Sequence, residues 1–526
     1  MAWKPCLIAL SALSLISLPA LAQTPAGATS KTLKLVPHAD LRNIDPVWTT
    51  AIITRNHAYM VYDALFGVDE GFAPRPQMVG EETVSADGLT YTLTLRSGLK
   101  FHDGVSVTAA DAAASVSRWM KRDAEGQALA SVLAEIKAID VRTLTVKLKQ
   151  PYGFVESSLG RIGAPAFIMP ERVARTDAFQ QIDDTTGSGP YRFERPEWRP
   201  GNLAVYTRFK DYAPRAEPTV LTAGAKLVKL ERVEWVYLPD PATAVAALNS
   251  GEVDMIEAPT PDLLPLFQGN ANVKIAVADP LGMQVVLRPN HLQPPFDNPK
   301  ARQALYYLVQ QSEYMRVMAG SPEYWRSCDS LFMCGTPTAT SAGAEIFDKP
   351  DLAKAKQLFE EAGYKGEPVV VLYPTDHPSG PAALVTAENL RKIGVNVRLE
   401  AMDWATLTTR RASKNPVSSG GWSIFHTRTD GVSAASPLAN NPVGAGCEKA
   451  WFGWPCDSEA ERLRLAWPFE ADEKKRRDIV ERLQLRLIEI GSYVVVGQYT
   501  MPTAYRSNVV GLIASPALVL WNIEKR

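Results

Sequence analysis

One stretch of twelve residues concentrates side chains that could bind a small ligand. Between Gly420 and Gly431 the chain reads GGWSIFHTRTDG, so aromatic rings stand beside an imidazole, a guanidinium and a carboxylate. A closed pocket for a partly polar ligand combines apolar surface with a few hydrogen-bonding and charged groups. The stretch therefore favours a binding pocket, and a core strand followed by a turn is the alternative.

Patterns typical of catalysis or metal binding are missing from the sequence. The six histidines form neither an i, i+4 pair nor an HExxH motif, which argues against a zinc enzyme. The chain has no G-x-S-x-G nucleophile elbow and no phosphate-cradling G-x-x-x-x-G-K. We therefore expect no catalytic residue, no metal and no cofactor, and keep an exported hydrolase as the alternative from another class.

The N-terminus has the features of a cleavable secretion signal. Lys4 precedes an apolar run from Leu7 to Leu21, and Ala20-Leu21-Ala22 forms a small-x-small cleavage site before Gln23. No cysteine follows that site, and no later stretch approaches the ~18 apolar residues of a spanning helix. We expect residues 1–22 to be removed and the mature protein to reach the periplasm without a lipid anchor.

The length and the net charge of the chain limit the classes of protein to which it can belong. A chain of 526 residues normally folds into two or more domains. Its 56 basic and 57 acidic residues give a net charge of −1, and removal of Lys4 changes this little. Such a balance argues against nucleic acid as the partner.

Four cysteines remain after the predicted signal peptide, in two close pairs. Cys328 lies near Cys334, and Cys447 lies near Cys456. In an oxidising compartment, close pairs favour two short-loop disulfides. A four-thiolate zinc site is the alternative, but the spacings fit zinc knuckles poorly.

The clearest secondary-structure pattern lies between residues 351 and 401. Asp351 is predicted to cap a helix that Gly363 ends, and the apolar strand Val369–Leu372 follows. A second helix over about 381–392 leads to another strand at Val395–Leu399, which predicts a parallel sheet. A further helix is predicted from about Pro299 to Met318.

Several stretches in register resemble the family 5 extracellular solute-binding proteins, the peptide- and nickel-type receptors of bacterial ABC importers. They are similar to the family's FxDG and TAxD motifs, its GTGPY turn, its PFxDxxVRQAL helix start and two later segments. The matching stretches are Phe101–Gly104 with Thr108–Asp111, Thr186–Tyr191, Pro295–Leu305, Ala353–Gly363 and Leu390–Val395.

This resemblance implies an α/β, two-lobed periplasmic-binding-protein fold of the type II, large peptide-receptor kind, with an extra α+β subdomain. Lobe I would comprise residues 31–70, 186–285 and 497–526, with the subdomain at 71–185 inserted in it, and lobe II residues 286–496. Such receptors close on a ligand by hinge bending and deliver it to a membrane permease and its ATPase. A monomer is expected.

The resemblance also implies where the ligand lies. In peptide-binding members, an aspartate three residues after a Gly-Trp holds the α-amino group of the ligand, and in this chain that position is Phe425. A buried cation needs a counter-charge, so Asp430 could take the role, while His426 and Arg428 could hold a carboxylate. The expected ligand contacts are His38, Asp40, Met283, Trp404, Trp422, Phe425, His426, Thr427 and Asp430.

These observations predict a periplasmic receptor that captures a short peptide or peptide-like solute. The same receptor role for a non-peptide cargo, such as a nickel chelate, an opine, an oligosaccharide or another organic acid, is the alternative, because Phe425 departs from the peptide-binding pattern.

Overall fold

The computed structural model of the chain describes Met1, residues 31–470 and residues 472–526. Apart from Met1, the predicted signal peptide at residues 1–22 therefore lies outside the described residues. Within those described ranges, none of the helices combines the length and apolar character needed to cross a bilayer.

The strands are short and are spread over the whole described chain. In order they are β1 (Thr32–Val36), β2 (Phe66–Val68), β3 (Pro74–Pro76), β4 (Val79–Val84), β5 (Thr90–Leu95), β6 (Leu133–Ala138), β7 (Thr143–Leu148), β8 (Tyr191–Phe193), β9 (Leu203–Arg208), β10 (Arg232–Val236), β11 (Met255–Ile256), β12 (Val273–Val277), β13 (Met283–Pro289), β14 (Trp325–Arg326), β15 (Val369–Pro374), β16 (Val397–Met402), β17 (Ile424–Asp430), β18 (Val494–Tyr499), β19 (Pro502–Arg506), β20 (Val509–Val510) and β21 (Glu524–Lys525).

The helices cover and connect these strands. In order they are α1 (Ile52–Val61), α2 (Ala109–Trp119), α3 (Ala124–Val132), α4 (Val155–Gly160), α5 (Glu171–Ala174), α6 (Pro241–Ser250), α7 (Pro299–Ala304), α8 (Gln311–Ala319), α9 (Leu352–Glu361), α10 (Gly380–Lys392), α11 (Trp404–Arg410), α12 (Gly431–Ala435), α13 (Ser458–Ala466) and α14 (Glu473–Glu489).

The first large sheet has seven strands in the order β12-β19-β11-β1-β10-β9-β8. Strand β1 runs parallel to both β10 and β11, whereas the other neighbours pair antiparallel. Leu33 and Leu35 of β1 are buried in a core that also contains Trp235 and Trp521. Because β1 and β11 are parallel, the residues that follow them emerge at the same edge of the sheet.

The second large sheet has six strands in the order β14-β18-β13-β17-β15-β16. Strands β15 and β16 are parallel and are joined by α10, which confirms the predicted strand–helix–strand unit. Asp351 caps α9 by accepting a hydrogen bond from the Lys354 N–H at 2.8 Å. Val369 and Val371 of β15 are fully buried in the core of this sheet.

A third sheet, β4-β5-β7-β6, packs with α2 and α3 as a separate small body. Its own core includes Leu93, Trp119 and Leu144. Thr108 and Asp111 form a reciprocal capping box at the start of α2. Two large α/β sheets with an added α+β body confirm the predicted fold class.

The chain crosses between the two large sheets slightly outside the predicted lobe limits. Strand β13 starts at Met283 and β18 ends at Tyr499, and both strands belong wholly to the second sheet. The predicted limits at 285/286 and 496/497 therefore fall inside strands. The lobe limits were drawn from the resemblance, whereas strand pairing decides the actual crossings.

The helix predicted from Pro299 to Met318 is interrupted. After α7 the chain forms a 3₁₀ turn over Tyr306–Leu308 and becomes extended at Val309 before α8 begins. At the break, polar groups that a continuous helix would pair internally bond to other segments. The Asn389 side chain donates to the Leu308 carbonyl at 3.1 Å. The buried Gln311 amide bonds to both the N–H and the carbonyl of Cys328.

Both predicted cysteine pairs are joined as disulfides. Cys328 bonds to Cys334, and Cys447 bonds to Cys456. Both bridges belong to the part of the chain that forms the second large sheet and its helices, where each closes a short loop.

Candidate functional site

A cavity of about 680 Å³ lies between the two large sheets. Clefts between lobes are a common position for small-ligand sites. The polar and aromatic side chains along its wall come from both sheets: His38, Arg55, Glu257 and Asp279 on the first side, and Trp404, Arg428, Asp430 and Tyr499 on the second.

His38 and Glu257 meet because β1 and β11 are parallel neighbours. Each residue follows the carboxyl end of its strand, the edge at which α/β sheets bind ligands. The His38 ring lies 2.8 Å from the Glu257 carboxylate, and Asn56 donates to the other carboxylate oxygen at 2.8 Å. Burial would raise the pKa of Glu257, but the His38 charge and hydrogen bonds from His38 hold it below its usual value.

Arg55 connects the two walls of the cavity. It is a buried residue of α1 that donates to the Pro516 carbonyl at 2.8 Å. Its guanidinium also lies 3.9 Å from the carboxylate of Asp430 at the end of β17. The same Asp430 oxygen accepts from the Ser433 N–H at 3.1 Å, which caps α12.

Asp279 lies in the crossing segment between β12 and β13. One of its carboxylate oxygens accepts from the N–H groups of Leu281 and Gly282, each at 3.0 Å. Burial raises the pKa of Asp279 to about 6, with Asp430 adding to the rise and the Gly282 hydrogen bond and Arg55 opposing it. Asp279 is therefore a second carboxylate at the cavity wall, near Asp430, and its negative charge is not fully balanced by Arg55.

Arg428 is the cation of the opposite wall. Its guanidinium donates to the Tyr499 hydroxyl at 3.0 Å and lies 3.6 Å from the Met501 sulfur. Within the described ranges no carboxylate pairs with it. Five guanidinium donors with so few partners leave capacity for an incoming anion.

Trp404 forms an aromatic end to the cavity. Its ring stacks on His377, with ring centroids 3.7 Å apart and planes 9° apart. Burial, with the charges of Arg428 and Arg411, lowers the pKa of His377 to about 3, so this imidazole is neutral. A flat, uncharged double layer therefore borders the cavity beside Arg428.

Four of the predicted ligand contacts line this cavity. They are His38 on the first side and Met283, Trp404 and Asp430 on the second. The structure thus brings together residues that are separated by hundreds of positions in the chain.

Three other predicted contacts lie away from the cavity. Asp40 accepts from the Gly201 N–H at 2.8 Å and from Arg42 at 2.9 Å, so it organises a loop. Trp422 and Phe425 are fully buried, with ring centroids 5.1 Å apart, in an aromatic cluster. Phe425 lies outside the candidate site because the first half of β17 is covered on both faces, and Trp422 lies just before that strand in the same buried cluster.

His426 and Thr427 also lie outside the candidate site. His426 is fully buried beneath α10, where its ring lies 2.8 Å from the Thr386 hydroxyl, and burial lowers its pKa to about 3. Thr427 is buried as well and does not line the cavity. Only the last residues of β17 extend beyond this cover and reach the cavity.

Several cavity residues were not anticipated from the sequence. Glu257 had a usable signal, since it directly follows the short apolar stretch that forms β11 and so could share an edge with His38. Arg55, Asp279 and Tyr499 had none, because a helix, a crossing segment and a distant strand bring them together.

Comparison with known proteins agrees with this architecture. The family model described as "Bacterial extracellular solute-binding proteins, family 5 Middle" matches residues 73–440. The probable peptide ABC transporter periplasmic-binding protein y4tO of Sinorhizobium fredii is 40% identical over 523 residues, 98% of each chain. The glutathione-binding protein GsiB of Salmonella typhimurium is 29% identical over 442 residues, covering 82% of this chain and 81% of the relative.

A solved structure shares the fold. The periplasmic binding protein AgaA of A. tumefaciens R10, determined with agropinic acid, superposes with a TM-score of 0.77 at 22% identity and covers 94% of this chain and 99% of its own. Two sheets that enclose a cavity, in a chain that matches the family over most of its length, identify this protein as a member of family 5 of the bacterial extracellular solute-binding proteins.

Proposed function

We propose that this protein is the receptor of an ABC importer, which captures a short peptide or peptide-like solute between its lobes and delivers it to the permease and its ATPase. Membership of a solute-binding family and the relative named as a probable peptide-binding protein support this role. We further propose a monomer located in the periplasm after removal of residues 1–22, without a lipid anchor, without bound nucleic acid and without catalysis.

The presence of both carboxylates and a guanidinium in one cavity carries the proposal. Asp279 and Asp430 each use one carboxylate oxygen in the hydrogen bonds found among the described residues, and the other oxygen of each is available. Arg428 stands on the same cavity wall without a carboxylate partner there. The two carboxylates can accept an ammonium and the Arg428 guanidinium can bind a carboxylate, which matches a peptide with free termini.

This arrangement supplies a counter-charge that Phe425 cannot. Phe425 is fully buried in the aromatic cluster and offers no charge to an amine. Asp279 and Asp430 reach the cavity from two different elements, a crossing segment and the end of β17. In our proposal these two carboxylates bind the ammonium group of the cargo.

Matched peptides test the assignment. We would measure the affinity of the mature protein for trialanine, for N-acetyl-trialanine and for trialanine amide by titration calorimetry. Arg428→Gln should weaken binding of trialanine by about 10-fold or more, yet leave the amide nearly unchanged, because a charge-assisted hydrogen bond is lost only with the carboxylate. Lys414→Gln is the control, since Lys414 pairs with Glu448 outside the cavity.

Equal loss for trialanine and its amide in Arg428→Gln would contradict the carboxylate assignment. Native mass spectrometry of the purified protein, followed by identification of any released ligand, decides between cargo classes. Peptides of two to five residues support the proposal. A single non-peptide organic acid or chelate would instead establish the alternative cargo in the same receptor role.

A further inference from the structure

A second guanidinium lies beside the cavity inside an aromatic enclosure. Arg411 follows α11, and its guanidinium carbon lies 4.8 Å from the ring centroid of Phe452, 5.4 Å from those of Trp404 and Trp451, and 5.6 Å from that of Phe425. Four rings at these distances form a cation–π enclosure. The enclosure stabilises the cation but provides none of the hydrogen bonds that a guanidinium can donate.

Arg411 has no hydrogen-bond or ion-pair partner for its guanidinium within the described part of the chain, and its Nε is buried. The preceding residue behaves differently: Arg410 pairs with Glu400 and donates to the Gly421 carbonyl at 3.1 Å. Burial lowers the pKa of Arg411 to about 10, so the group remains charged at neutral pH. A half-buried charge with unused donors is costly unless an anion joins it.

Trp404 joins this enclosure to the cavity. Its ring lines the cavity, stacks on His377 and lies within cation–π distance of Arg411. Besides burial, the charges of Arg428 and Arg411 both lower the pKa of His377, so both guanidiniums lie near this imidazole. Arg428 thus lines the cavity while Arg411 lies against the Trp404 ring, and neither is paired with a carboxylate of the described chain.

We propose that Arg411 binds a second acidic group of the cargo, in addition to the carboxylate assigned to Arg428. The cargo class is then a peptide or peptide-like compound with two carboxylates, the second one carried on a short apolar arm that lies against Trp404. This inference rests on the proposed function for the peptide part of the cargo. The requirement for a second acid is independent of it.

Two ligand pairs that differ only in the second acid test the inference. One pair is Ala-Ala-Glu and Ala-Ala-Gln, and the other is glutarate and its monoamide, glutaramate. In the wild-type protein the acid of at least one pair should bind about 10-fold more tightly than its amide, by calorimetry. Arg411→Gln should abolish that preference, Arg411→Lys should keep part of it, and Lys414→Gln should keep all of it.

The outcomes separate this inference from the proposed function. If no peptide binds but glutarate binds in preference to glutaramate through Arg411, the peptide proposal fails and the second-acid site stands. If acid and amide bind equally in the wild-type protein, if neither acid binds, or if Arg411→Gln keeps the preference, the second-acid site is overturned. Equal binding of acid and amide by the wild-type protein overturns the inference even if Arg411→Gln does not fold, and Arg411→Lys then tests whether a preference depends on Arg411.

Discussion

At the scale of single residues, the acids of the cavity are not equivalent. Glu257 has both oxygens engaged, by His38 at 2.8 Å and by Asn56 at 2.8 Å. One carboxylate oxygen of Asp279 and one of Asp430 accept no hydrogen bond from the described residues. Glu257 therefore stabilises the strand ends, while the two aspartates are the groups that gain most from an incoming ammonium.

The raised pKa of Asp279 predicts a pH-dependent effect of Asp279→Asn. Because the folded protein holds this proton up to pH about 6 and the unfolded chain releases it near 3.8, the wild type loses stability as the pH rises between these values. The loss is at most about 3 kcal/mol. Asparagine stays neutral, so the melting temperature of Asp279→Asn should rise relative to wild type between pH 4 and pH 7.

Asp240→Asn provides the control for this titration. Hydrogen bonds from Thr243 hold the pKa of Asp240 below its usual value, the opposite direction to the pKa of Asp279. Its variant should differ from wild type by a nearly constant amount. A constant difference for Asp279→Asn would show that Asp279 does not titrate as described.

At the scale of elements, β17 shows how one strand supplies both core and site. His426 is covered by α10, whereas Arg428 and Asp430, on the same face further along, reach the cavity. The strand pairs with β13 over its whole length, so the backbone that carries these charges is held by a continuous ladder. The sheet thus fixes the spacing between the Arg428 and Asp430 side chains.

The start of β13 depends on a glycine. Gly282 has φ +67°, and an added Cβ would come well inside van der Waals contact with the Tyr499 carbonyl oxygen. Gly282→Ala should cost about 2–4 kcal/mol of folding free energy, from backbone strain and overpacking together. Thermal melting of the variant and of wild type measures the cost.

Gly269→Ala is the matched control for Gly282→Ala. Gly269 has φ +80° with nothing within 4 Å of the added Cβ, so only backbone strain of about 1 kcal/mol applies. If the two variants melt at the same temperature, close approach to Tyr499 does not limit the crossing.

At the scale of the whole molecule, the subdomain contacts the second large sheet's body as well as the first. Ser436 donates to Glu125 at 2.8 Å, and the rings of Phe154 and Trp467 have centroids 4.6 Å apart. These residues border a further cavity of about 420 Å³. This contact therefore stabilises the arrangement in which the two large sheets enclose the cavity of about 680 Å³.

Removing one ring of this contact should weaken binding without changing selectivity. Phe154→Ala removes a ring pair worth about 0.5–1.5 kcal/mol and so lowers the population of this enclosed arrangement. The affinity for trialanine should fall about 2- to 10-fold, with the same ratio of trialanine to trialanine amide as in wild type. Calorimetry measures both quantities.

Phe179→Ala is the control for Phe154→Ala. Phe179 is an exposed aromatic residue in the range predicted for the subdomain, and its ring contacts Arg122 rather than the second sheet's body. Its loss should leave affinity unchanged. A changed selectivity ratio in Phe154→Ala would place Phe154 in ligand recognition and contradict a purely conformational role.

The sequence alone determined features that depend on neighbouring residues. Periodicity and capping predicted the β15–α10–β16 unit and the start of α9, and the close cysteine pairs predicted both disulfides. Motifs in register led to the family. Each of these signals is contained in a short stretch, because helices, caps and short-loop bridges are built from nearby residues.

Only the tertiary structure decided which side chains meet at the site. Alternation along β17 places its residues on two faces, but helix packing determines that His426 is covered and Asp430 is not. His38 and Glu257 are 219 positions apart and meet through strand pairing. The four rings around Arg411 come from three separate segments of the chain. Such contacts depend on which surfaces pack together, and no local pattern encodes that choice.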